Sequence, residues 1–535
     1  MNQSGCLFLF VALIGCASAD EAAMRMPPTT DTGDNDAADG GPGSRGCDQT
    51  EHRWIKALAG GAGDILRAGP NDDLMNLLAG LNTNKLYGLL LADGTYGAVN
   101  FPANLRLSIL GACGESIATA TWTGGSQATI QVAGMQFEAG FALQNPAHVA
   151  LEDNRFKNAD GHAVSQQGGT LNFSNNTITT STGHGLALTS ATAVIIGDNN
   201  FLGPLGGDGV FSDDQDGDLT IQANRFEQVQ GNGVRLLATK PSVTAVVIGD
   251  NNFLGPLGGD GVFSRNQTPL RIQGNRFVQL GGNGLSMIEQ RAGVIIGDNN
   301  FLGPLGGDGI FSWQSGAETP SLIERNAIDN SARFGLFIGE PQGAFNLERN
   351  IVSASGGRGI LLQDGAATSQ VTLHQNTIEG AHGSGLEVIA HHGEVTLTQN
   401  TIEKVLSEPV GGAAPPASGI GIVALDSPRL TVRNNLIKCI DLAGVVVDLA
   451  QRDAALSPLD VRLDIGNNSF DGFAKYNLVL QNIGDAADDM PQGALESGSA
   501  QGFGERFRVQ RKRAANHRCG NGELEAGEIC DDGNR

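Results

Sequence analysis

Three stretches of this chain are nearly the same nineteen residues: VIIGDNNFLGPLGGDGVFS at 194–212, then again with one change each at 246–264 and 294–312. A chain that repeats itself stacks like units on like units, because each unit alone cannot bury its apolar face. Diverged partners lie between the copies, LTIQANRFEQVQGNGVRL from 219 and LRIQGNRFVQLGGNGLSM from 270. Aligned on these, every unit carries one asparagine: Asn154, Asn176, Asn199, Asn224, Asn251, Asn275, Asn299, Asn326, Asn350, Asn376, Asn400, Asn435 and Asn468. Most steps are 22 to 27 residues, and the last two are longer, which predicts loops after Leu406 and Leu449. Two residues past each asparagine stands a large apolar residue, Phe201, Phe226, Phe253, Phe277 and Phe301 among them. After a glycine-rich corner follows another apolar column, including Leu186, Val210, Val234, Val262, Leu285 and Ile310.

One object needs all three columns. A coil of about two dozen residues makes three short strands, and each strand pairs in parallel with its equivalent about 4.8 Å away. Identical positions then stack. Asparagine tolerates the left-handed backbone of a tight turn, and its amide bonds to the amides above and below. Glycine, 77 of 535 residues, permits the sharp corners. The expected fold is all-β: a right-handed parallel β-helix solenoid with an N-terminal cap and flexible termini, its thirteen aligned coils forming a rod of roughly 60 Å. A leucine-rich repeat lacks its leucine-spaced consensus here. A propeller would need antiparallel hairpins with periods near 40 to 50.

The stretch 87–484, with its opening LLLADGTYGAVNFPANLRLSILGACG at 89–114, resembles the pectin-lyase-like superfamily of right-handed β-helices. That resemblance implies the fold; its members include catalysts, binders and scaffolds. The remaining boundaries are an export signal at 1–19, an acidic Gly/Pro/Thr linker at 20–46, a cap with weak helical patterning at 47–86, a linker with a basic run at 485–518, and a tail at 519–535. The tail CGNGELEAGEICDDGN resembles the start of a cysteine-rich repeat of myxobacterial exported proteins.

Leu7 to Gly15 is apolar, too short to span a bilayer, and ends in small residues. Leu13-Ile14-Gly15-Cys16 resembles a bacterial lipobox, which implies lipidation at Cys16 and an outer-membrane or cell-surface location. Ala17-Ser18-Ala19 offers ordinary cleavage and free secretion as the alternative. In an exported chain Cys47 and Cys113 could bridge the start of the folded part, Cys519 and Cys530 share the tail, and Cys439 is left over as a buried thiol. The formal net charge of -23 argues against nucleic acid, and against an anionic membrane except through a lipid anchor. Nothing in the sequence sets the oligomeric state.

Relatives that cleave acidic sugars typically join a carboxylate cluster, often holding calcium, to a nearby base. Asp213, Asp214, Asp216 and Asp218 are the matching calcium candidates, and Asp213 and Asp214 with Arg235 (or Lys240) are the matching catalytic ones. Gly183-His184-Gly185 resembles the GHG motif of polygalacturonases, although the paired aspartates precede that motif in the family and follow it here. A solvated turn at 213–218 and a variable polar residue between corner glycines are the plainer readings. The same corner column holds His162, Asp208, Asn232, Asp260, Asn283, Asp308, Arg358 and Ser384. His391-His392 reads as an exposed pair in a turn, and the basic run from Arg506 to Arg518 as a solvated linker.

Alternation from inward Val210, Val262 and Ile310 points Phe211, Phe263 and Phe311 outward, with Asp208, Asp260 and Asp308 at the same corner. These six are the candidate binding residues for an extended ligand such as polysaccharide, or for an envelope surface. The sequence therefore favours an exported, envelope-exposed β-helix with a non-catalytic binding or structural role. The rival is a lyase, hydrolase or epimerase acting on uronic-acid polymers.

Overall fold

In the computed structural model the described residues are Gln49, the strand 507–510, and 52–481 apart from 60–62, 113–114, 158, 241, 266–267, 316–318, 407–418, 441, 450–461 and 472–475. The lipidation residue Cys16, the pair Cys47 and Cys113, both tail cysteines and the two expected loops lie outside them.

The chain winds into a right-handed parallel β-solenoid. One coil shows the plan. Ala193–Gly197 runs in a first sheet (A), Asn200–Phe201 in a second (B) and Val210–Asp213 in a third (C), before Leu219–Gln222 returns to pair with the first. Among the described residues sheets A, B and C contain 17, 16 and 17 strands. Along most strands buried and solvent-facing residues alternate, so every sheet turns one face to a continuous core, while strands such as Leu86–Leu91 and Leu336–Gly339 are buried nearly throughout.

The thirteen asparagines are all buried at the A-to-B turn. From Asn154 to Asn468 each Nδ2 donates to the next Oδ1 at 2.9–3.1 Å. The same Oδ1 takes the backbone N–H of the asparagine below, as Asn275 Oδ1 does from Asn251 at 3.0 Å. The left-handed backbone, however, falls one residue earlier, at Asp153, Asn175, Asp198 and Ala223 among others. The ladder asparagines are thus selected for their amides, and the turn's strain is carried by a neighbour whose type varies. Beside the ladder, Phe201, Phe226, Phe253, Phe277 and Phe301 stack nearly parallel with centroids 4.6–4.8 Å apart.

The segment expected to be a helical cap contains more. Helix α1 (Arg53–Ala59) sets Ile55 and Leu58 on Leu90, Leu110 and Ala133, covering the outer face at the start of sheet A. Strand β1 (Gly63–Ala68) already belongs to sheet A, pairing in parallel with β2 (Leu86–Leu91). Helix α2 (Leu74–Ala79), N-capped by Asp73, places Leu74 and Leu78 over the open end of the core. At the far end Phe507–Gln510, within the expected linker and its basic run, adds a last strand to sheet C.

Two further expectations are corrected. Cys439 is disulfide-bonded, not a free thiol. His391 is fully buried, not exposed: a Cβ on Gly365, one coil below, would lie 2.1 Å from its ring, so that glycine opens the slot the imidazole occupies.

Candidate functional site on the outer face of sheet C

Outward positions of sheet C stack coil on coil. Registers place Asn100, Thr123, Ala142, Ser165, Ala187, Phe211, Arg235, Phe263, Ser286, Phe311 and Phe337 in one column. Phe211, Phe263 and Phe311 face outward and are partly exposed, as alternation requires. They are not isolated rings. The Arg235 guanidinium sits between two of them, 5.9 Å from the Phe211 centroid and 5.7 Å from that of Phe263. Below Phe211 the stack continues through His184 at 4.7 Å and His162 at 4.9 Å beyond it. Above Ser286, Phe311 stacks on Phe337 at 5.1 Å, with Trp313 and Phe334 each 5.8 Å from Phe337. The stripe therefore crosses eight coils, roughly 34 Å.

Toward the N-terminal end the column turns small, and a groove of about 650 Å³ opens there. Its floor is Asn100, Thr123, Ala142, Ser165 and Ala187, and one wall holds Gln144, Gln167 and Thr189. His162, His184 and Phe211 form the other wall. Among the described residues no Asp, Glu, Lys or Arg lines it.

The corner residues behind this wall, Asp208, Asp260 and Asp308 among them, bond to backbone one coil above. They form a second ladder, running opposite to the asparagine one. His184 N donates to His162 Nδ1 (3.1 Å), Asp208 N to His184 Nδ1 (2.8 Å) and Asn232 N to Asp208 Oδ1 (2.7 Å). Asp260, Asn283, Asp308 and Phe334 continue it, each backbone N–H reaching the side chain one coil below at 2.6–2.9 Å. Asp208 and Asp308 are buried. Burial pushes the Asp260 and Asp308 carboxyls above their usual range.

The corner glycines flank this ladder for reasons of space. A Cβ on Gly207 would lie 2.5 Å from His184 Nδ1, and one on Gly209 would lie 2.6 Å from the Phe226 ring. Gly183-His184-Gly185 is the same device, its glycines making room for His162 and Phe201. With Nδ1 accepting a backbone hydrogen bond, each histidine carries its proton on Nε2. Desolvation lowers both pKa values, outweighing for His184 the nearby Asp208 carboxylate. The 3.4 Å approach of His184 Nδ1 to Asp208 Oδ2 is therefore proximity without an ion pair.

The acidic turn does not converge. Lys240 Nζ lies 3.2 Å from Asp216 and 3.7 Å from Asp214, and Asp214 also takes the Ser190 hydroxyl. Asp218 accepts from the Thr244 hydroxyl and from the backbone of Thr244 and Ala245, which holds its carboxyl below the usual range. Among the described residues no three His, Cys, Asp or Glu side chains come together as a metal requires. Of the sequence's catalytic candidates Asp213, Asp214, Arg235 and His184, only His184 is among the described residues that line the groove.

The sequence profile described as "Right handed beta helix region" matches residues 121–246 and 242–402. No curated protein matches in sequence. Among solved structures the chain resembles the A-module of Azotobacter vinelandii mannuronan C-5 epimerase AlgE4, at 14% identity and a TM-score of 0.31, over 79% of this chain and 96% of that one. It resembles the PL6 family alginate lyase AlyGC at 10% identity and 0.31, over 78% and 84%. PfbA, a surface adhesin of Streptococcus pneumoniae, matches at 12% identity and 0.22, over 79% and 92%. Likeness at these levels carries no argument about activity.

Proposed function

The chain belongs to the right-handed β-helix family, and from that premise we propose that it is an exported, non-catalytic binder of polysaccharide. The ligand chain lies along the outer face of sheet C. One observation carries the reading: a partly exposed aromatic stripe in register over many coils opens directly into a groove lined by amides, hydroxyls and imidazoles. The partly exposed rings offer apolar area along their edges and the polar lining offers fixed hydrogen bonds, a combination suited to an extended polymer with alternating apolar and hydroxylated faces. Glycosidic hydrolysis uses a pair of facing carboxylates, and the described residues of the groove's lining supply none.

Replacing Phe211, Phe263 and Phe311 together by Ser removes three outward rings and leaves the inward columns intact. Retention of the intact protein on a polysaccharide affinity matrix is expected to fall on the order of tenfold or more, with an unchanged circular dichroism spectrum. A folded triple variant that binds as well as the wild type refutes the stripe's role. Accumulation of unsaturated or reducing ends, when the purified protein is incubated with alginate or polygalacturonate, would establish the uronic-acid enzyme instead.

Export belongs to the same proposal and rests on the apolar segment 7–15 and the lipobox-like residues ending at Cys16. With a lipid anchor, Cys16→Ala is expected to move the protein from the detergent to the aqueous phase on Triton X-114 partition. Unchanged partition, with a mature N-terminus at Asp20, would make it a freely secreted protein.

A further inference from the structure

Resting on the reading that sheet C binds polysaccharide, we infer that its ligand is an uncharged polymer, held where Ala142, Ser165 and Ala187 floor the groove between Gln167 and the His184–Phe211 wall. The binding chemistry of that lining decides the class. Asn100, Thr123, Ser165 and Gln167 each both donate and accept hydrogen bonds, as sugar hydroxyls do. A uronate carboxylate only accepts, and its strong partners are cations.

Among the described residues the lining provides no cation. Both histidines spend Nδ1 on a backbone N–H of the coil above, which leaves a single Nε2–H each and a neutral ring. Desolvation of His162 and His184 opposes their protonation. The next side chain along the column, Arg235, has its guanidinium between two phenyl faces. Beyond the groove's outer wall the column Gln144, Gln167 and Thr189 continues to Asp213, a carboxylate that repels an anionic chain running along that edge. The formal charge of -23 adds long-range repulsion of the same sign. The small residues Ala142 and Ala187 let a pyranose ring sink beside Phe211, whose partly exposed edge remains for contact with sugar C–H groups, its two faces being held by His184 and Arg235.

The test is affinity electrophoresis of the intact protein through gels containing dextran, laminarin, xylan or galactomannan, and separately alginate or polygalacturonate, at about 0.05 and 0.5 M salt. Retardation is expected on at least one uncharged polymer, equal at both salt concentrations, and absent on the two polyuronates. Ala187→Trp, which fills the floor beside Phe211 from an outward position, is expected to abolish that retardation with an unchanged melting temperature. Retardation on the polyuronates alone, or one that salt weakens, overturns this inference and leaves polysaccharide binding standing. Normal retardation of the folded Ala187→Trp variant overturns the groove as its seat. No retardation on any gel removes the binding function itself, and this inference with it.

Discussion

Asn275→Leu is expected to lower the unfolding free energy by roughly 3 to 9 kcal/mol. Its side chain makes four buried hydrogen bonds and one part-buried one, and groups left short of a partner cost about 1–3 kcal/mol each. Asn275 Oδ1 accepts both the backbone N–H and the Nδ2 of Asn251 at 3.0 Å, and its own Nδ2 donates to Ile248 O at 2.9 Å and to Gln273 O and Asn299 Oδ1 at 3.0 Å. Leucine fills much of the volume but answers none of these, and no water reaches a site about 1% exposed. Asn172 is the control. It stands on the outward face of sheet A, between Ala150 and Ile195 in register, and Asn172→Leu should change stability by under about 0.5 kcal/mol. Urea unfolding of the two variants side by side decides it. Equal midpoints would mean that the asparagine column is not the interior ladder described.

The second large effect concerns pH. Burial lowers the His391 pKa from 6.5 to about 4. Its Nε2–H reaches Ser369 Oγ at 3.3 Å, since that hydroxyl spends its own proton on Ala366 O, and the His391 backbone N–H meets Ser427 Oγ. The neighbouring His392 would repel a second positive charge, although burial is the larger cause. The unfolded chain takes up a proton near pH 6.5 that the folded chain refuses until about 4. Stability from this group is therefore complete above pH 6.5 and lost as pH falls to 4, by roughly 3 kcal/mol. Asp260 and Asp308 act oppositely: their raised pKa values favour the fold at low pH and cost stability as pH rises.

A comparison with His391→Gln isolates the histidine. Gln290 occupies the equivalent position of an earlier coil, buried at the same C-to-A corner, so the substitution has a precedent in the fold. The variant should lose about 3 kcal/mol less than the wild type between pH 7.5 and 4. Parallel stability curves for the two proteins would show that His391 stays neutral in both states or is solvated in the fold.

What the sequence disclosed follows from how narrowly each position is constrained. The asparagine column is legible because a side chain must both donate and accept there, and few residue types do so at that length. The second ladder stayed hidden because its only requirement is a lone pair, which His162, His184, Asp208, Asn232 and Asp260 all supply. Read as letters, that column looks variable; read as acceptors, it is uniform. Outward Phe211, Phe263 and Phe311 could be placed by alternation, while Phe337 and Trp313 fall outside the triplicated segment and were missed. The groove left no mark because its floor is defined by small side chains, and Ala142 or Ala187 is unremarkable until its neighbours are known. His391 was misjudged because its slot depends on Gly365, a residue 26 positions away in sequence and one coil away in space.

The alternation of the second ladder restricts how such a rod can lengthen or shorten. Along Asp208, Asn232, Asp260, Asn283 and Asp308 each carboxylate is separated from the next by an amide, two coils or roughly 10 Å away. Deleting residues 246–293, a pair of coils, would bring Asn232 against Asp308 and Phe226 against Phe301, and every column would close. Deleting the single coil 219–245 would set the buried Asp208 directly against the half-buried Asp260, two carboxylates about 4.8 Å apart, of which one would have to take up a proton. The heritable unit of this architecture is therefore a dimer of coils, and the near-identical copies 48 and 52 residues apart keep that parity.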